Sequence, residues 1–118
     1  MITSMNVLIA VDRHLEVEVI SRVSDLLHRV HGISPVITCC KHPNVSTVLF
    51  EIHPPILIIC NEAHMRAVCA LEDADDLHAI CLGQPRSPGD VCAQRTYAPL
   101  EAIDVPISTA VRMMENSA

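Results

Sequence analysis

The chain has 118 residues, half of them hydrophobic, and its eight basic and fourteen acidic side chains give a net charge of −6. That length fits one domain and is short for two, and the apolar fraction suffices for a core without disulfide or metal staples. The acidic balance argues against docking on a phosphate backbone, and no apolar run approaches the ~18–20 residues of a membrane span.

The hydrophobic residues are almost all aliphatic, with one Phe (Phe50), one Tyr (Tyr97) and no Trp. Val- and Ile-rich runs of this kind suit strands covered by helices on both faces. Residues Met1 to Asn6 carry no basic segment ahead of an apolar stretch, so no signal peptide is expected. The six cysteines (39, 40, 60, 69, 81, 92) fall partly inside predicted strands and helices, which favours reduced, buried thiols and a cytoplasmic location.

In chain order, Asn6 to Val11 (NVLIAV) is long enough for a buried strand and too short for a helix, and Asp12 ends it. From His14 to His31 the apolar period becomes helical, through Val19, Ile20, Val23, Leu26, Leu27 and Val30, with Gly32 as the stop. Pro35 to Cys40 reads as a second strand. Pro43 and Asn44 open a short helix with Val45, Val48, Leu49 and Ile52 on one face. After Pro54-Pro55, the run Ile56-Leu57-Ile58-Ile59-Cys60 is apolar at every position, as a central strand should be. Glu62 to Ala74 is helix-compatible, and Leu77 to Leu82 is a fourth strand. Gly83 to Gln94 loses the pattern and reads as a loop with at most one helical turn. Arg95 to Ala98 is a fifth, edge strand. Asp104 as N-cap and Pro106 in the first turn open a last helix marked by Ile107, Ala110, Val111 and Met114.

The sum is a single α/β domain over residues 1–118, a doubly wound five-stranded parallel sheet of flavodoxin type in the order 2-1-3-4-5. Its abrupt, polar C-terminal end fits an N-terminal piece of a longer protein. In such a sheet, ligands meet the carboxyl ends of the strands near the point where strand order reverses. Those positions hold Val11, Asp12 and Arg13, then Cys60 and Asn61, Gly83 and Gln84, and Ala98 before Pro99.

The segments VLIAVDR, PPILIICNEA, LHAICLGQ and TYAPL, in that order and spacing, resemble the receiver domain of bacterial two-component response regulators across nearly the whole chain. In that family the first strand ends in paired acids and the third in a phosphoryl-accepting Asp. The fourth ends in Thr or Ser, and the fifth delivers Lys before Pro. Here Asp12 stands with Val11 and Arg13 beside it, and the other positions hold Cys60, Gly83 and Ala98. Mg²⁺ wants oxygen ligands, and every other part of the phosphoryl-transfer set is replaced. With a shortened fourth-helix region, the resemblance therefore implies a degenerate receiver. Such a module has no catalytic residue, cofactor or metal, and regulates transcription through contact with its own copy, a partner or an output domain. The analogy places that contact on the fourth-strand to last-helix face, with Tyr97, Ile107, Val111 and Met114 as candidates.

Two other readings use the same strand ends. Asp12-Arg13-His14 is similar to the D-x-H segment of cobalamin-binding domains. Val17 replaces their glycine, however, and Cys60-Asn61-Glu62 replaces their Ser-x-Leu turn. The bland counterpart is Asp12 capping the first helix with His14 in its exposed first turn. Cys60 is the candidate nucleophile of a thiol enzyme if Arg13 lowers its pKa; against that stands an inert core cysteine. Cys39-Cys40 with His42 lacks the C-x-x-C partner of a tetrahedral site, and Glu72-Asp73-Ala74-Asp75-Asp76 reads as a solvated helix end.

Overall fold

The structure, a computed structural model, describes residues 2–39, 52–61, 77–83 and 95–117. Five strands, β1 (Ser4–Ala10), β2 (Ser34–Cys39), β3 (Ile56–Asn61), β4 (Leu77–Leu82) and β5 (Arg95–Ala98), form one sheet in the order β2-β1-β3-β4-β5. Every pairing is parallel. Two α-helices lie among the described residues, α1 (Glu16–Asp25) and α2 (Asp104–Ser117). The sheet expected from the sequence is thus the observed one. The helices read over 43–52 and 62–74 and the loop 84–94 lie outside the described residues.

The unbroken apolar runs in β1 and β3 follow from a sheet buried on both faces. Val7, Ile9, Leu57, Ile59 and Ile80 point to one side, where they pack with Val19, Val23 and Leu27 of the first helical segment and with Ile107, Val111 and Met114 of α2. Their alternates Leu8, Ala10, Ile58, Cys60, Ala79 and Cys81 form a second cluster on the opposite face. Central residues of β1 and β3 on both faces have no solvent exposure.

The first helical segment is continuous but not uniform. A 3₁₀ turn (Arg13–Leu15) leads into α1, and a five-residue π turn (Leu26–Val30) ends it. The Ile33 N–H then donates to the Leu27 carbonyl at 2.9 Å, one residue further back than in an ordinary helix-end turn. Gly32 stands at φ 65°, the left-handed conformation in which glycine is at home. Widening the turn advances each residue by less, so Val30 falls off the apolar stripe and is 66% exposed. The helical period had assigned it to the core. His31 closes this end, its Nε2 lying 3.0 Å from Ser108 Oγ on α2.

α2 begins at Asp104, with the Ile107 N–H donating to the Ile103 carbonyl at 3.1 Å. Ile103 therefore holds the cap position and Asp104 the first helical one. There its carboxylate still faces the positive end of the helix dipole. Pro106 falls in the first turn, where its missing N–H has no partner to lose.

Candidate functional site at the carboxyl ends of the strands

Register sets the edge. Ala10 is level with Cys60, Cys60 with Cys81, Asn61 with Leu82, and Leu82 with Ala98. The segments after β1, β3, β4 and β5 therefore emerge side by side. The sequence positions Asp12, Arg13, Asn61, Gly83 and Ala98 do belong to one end of the sheet.

Their chemistry is sparse. Asp12 is exposed and works through its backbone: its carbonyl accepts the Leu15 N–H at 2.9 Å, while its carboxylate makes no capping bond. Asp12 thus holds the cap position ahead of the first helical turn, through its carbonyl and not its carboxylate. Arg13 and His14 sit in the exposed 3₁₀ turn. Asn61 is half-buried at the end of β3. Gly83 has φ 126° and donates its N–H to the Ala98 carbonyl at 3.0 Å, tying the ends of β4 and β5 together. Glycine there answers a backbone requirement, because L side chains rarely take that conformation.

Cys60 and Ala98 both lie inside the edge, on opposite faces of the sheet. Cys60 is fully buried in the cluster with Leu8, Ala10 and Ile58, whereas Ala98 belongs to the helix-side cluster. An enzyme's nucleophilic thiol needs standing access and a cationic neighbour, and a wholly buried site among aliphatic side chains offers no such access while the strand ends are closed. Of the three described cysteines, Cys81 is buried as well, while Cys39 is exposed, contrary to the expectation of burial. Cys39 is the last residue of β2, an edge strand of the sheet. Partial desolvation, reinforced by the Glu16 carboxylate, holds its thiol above the ordinary value of 9.0. Iodoacetamide should therefore alkylate Cys39 more slowly than a free thiol near pH 8. The rate should climb with pH through and beyond the usual thiol range, and Glu16→Gln should speed it at fixed pH. Peptide-resolved mass spectrometry reads this out; an unchanged rate in the variant contradicts the assignment.

No family model, curated protein or solved structure matches the chain. Assignment of the edge therefore rests on its own residues. Among the described residues no three His, Cys, Asp or Glu side chains converge as a metal site, and no helix is long and apolar enough to cross a membrane. Cys40, His42, Glu62 and the acidic run 72–76 lie outside the described residues.

The contact residues assigned to α2 require correction. Ile107 and Val111 have no exposure and Met114 has 2%, so this stripe is spent on the sheet and is not a surface. A helix shows one apolar face to its core, and the sequence period marked that face. The outward side carries Val105, 71% exposed, with Thr109 and Arg112. Tyr97 is half-buried against the second cluster. Between β4–β5 and α2 opens a cavity of about 240 Å³, lined among others by His78, Thr96, Ala98, Pro106, Ala110 and Met113. His78, 3% exposed in an otherwise apolar strand, is the feature that sequence reading passed over. A polar residue inside LHAICL was the available signal.

Proposed function

We propose that the domain is a receiver-like regulatory module that does not undergo phosphoryl transfer and acts by protein contact, as a homodimer or with a partner or output domain. One observation carries the reading. The sheet order and register bring together the strand ends at which a receiver would hold its acids, hydroxyl and amine, and this chain fills them with Asp12, Cys60, Gly83 and Ala98. A thiol buried among aliphatics, a glycine and an alanine supply neither oxygen ligands for Mg²⁺ nor a carboxylate acceptor. What remains available for signalling is surface, and the outward side of α2 around Val105 offers it. The test concerns association. Static light scattering over a concentration series should give twice the monomer mass, and Val105→Glu should lower it. A monomer persisting at high micromolar concentration overturns self-association and leaves contact with another protein to carry the proposal.

A further inference from the structure

The register of the two central strands places Cys60 of β3 directly beside Cys81 of β4. Both belong to the same buried cluster, so both side chains rise from the same face of the sheet, and neither is exposed. Each lies one residue before the end of its strand, close to the rim where strands give way to connections. Both are reduced.

We infer that Cys60 and Cys81 form a reversible cross-strand disulfide under a peroxide oxidant, a modification site independent of the receiver reading. Adjacent strands lie about 4.7–4.9 Å apart, inside the usual Cα separation of a disulfide, about 4.4–6.8 Å. Side chains at level positions of a parallel pair rise in nearly the same direction, so their Cβ atoms keep close to the strand spacing. A disulfide prefers about 3.5–4.5 Å there, so closing the bridge draws the two Cβ atoms together by a few tenths of an ångström to about one ångström. A bond made at that cost is more easily reduced than a relaxed structural one, which suits a reversible modification.

The chemistry balances with the peroxide as the only co-reactant. The thiolate of one cysteine attacks a peroxide oxygen and the O–O bond breaks. The products are a sulfenic acid and, after proton transfer, one water. The neighbouring sulfur then attacks the sulfenic sulfur, the S–S bond forms, the S–O bond breaks, and the departing hydroxide takes the second thiol proton as another water. Two thiols are oxidised by two electrons and one peroxide is reduced. The second step is favoured by placement, because the resolving sulfur is already adjacent. Burial slows the first step, which awaits opening of the strand ends, so Cys39 at the exposed edge should oxidise sooner.

The test is treatment of the full chain with hydrogen peroxide, blocking of remaining thiols, and peptide mapping under non-reducing conditions. The expected result is a peptide pair joined through Cys60 and Cys81, lighter by two hydrogens, restored by dithiothreitol and absent in Cys60→Ala and in Cys81→Ala. Alanine is small and apolar like its neighbours there; if either variant fails to fold, the wild-type map alone decides. Recovery of both residues as separately blocked thiols once Cys39 is fully oxidised overturns the inference. So does a map in which either is joined to a different cysteine.

Discussion

Truncation of Ile58 to alanine is expected to destabilise the domain by about 2–5 kcal/mol, and truncation of Ile59 by a similar amount. Both residues are wholly buried, yet they face opposite sides of β3. Ile59 packs with the helix-side cluster, and Ile58 with the cluster of Leu8, Ala10, Cys60, Ala79 and Cys81. Each substitution removes three carbons from a close-packed site and leaves a void that neighbours fill only in part. The comparison is sharper than either value. In a sheet with one solvated face, one of two consecutive residues would tolerate alanine; here neither should. Urea unfolding with an unchanged denaturant slope measures both losses. A near-neutral Ile58→Ala beside a costly Ile59→Ala would contradict the two-sided core.

The second large effect is expected at the end of β4. Gly83→Ser should cost about 1–3 kcal/mol, the range for a side chain held in a sparsely allowed backbone region. Nothing lies within 4 Å of a Cβ built at Gly83, so crowding is not the cause; φ 126° is. Gly83→Ala should therefore cost the same as Gly83→Ser, and the hydroxyl should recover nothing. By contrast, Gly32 sits at φ 65° with equally open space, where Asn is tolerated, so Gly32→Asn should be milder. Thermal melts of the variants make the comparison. Equal tolerance at the two glycines would mean that the Gly83 turn relaxes, and its N–H bond to the Ala98 carbonyl with it. The serine that would mimic a receiver's hydroxyl is thus the substitution this backbone resists.

Strands were the legible part of the sequence. The run Ile56–Cys60 is apolar at every position and Leu77–Leu82 at every position but His78, and a strand buried on both faces is the economical explanation. The order followed from short connections and the handedness of crossovers. Side-chain roles were less legible, because an apolar stripe on a helix has the same period whether it meets a core or a partner. The resemblance to receivers implies an outward role for Ile107, Val111 and Met114, whereas packing turns them inward. Val30 misled in the opposite way, since a π turn leaves no mark on a 3.6-residue period. At the strand ends the residue types could be read directly, but the division of Cys60 and Ala98 between opposite faces depends on register. So does the adjacency of Cys60 and Cys81, which lie twenty-one positions apart in sequence.

The most direct test of the proposed function is incubation of the chain with acetyl phosphate and Mg²⁺, followed by intact-mass measurement. No phosphoryl adduct is expected, and no difference between samples with and without Mg²⁺. A stoichiometric, Mg²⁺-dependent phosphoryl adduct would contradict the proposed function, wherever on the chain the group is found.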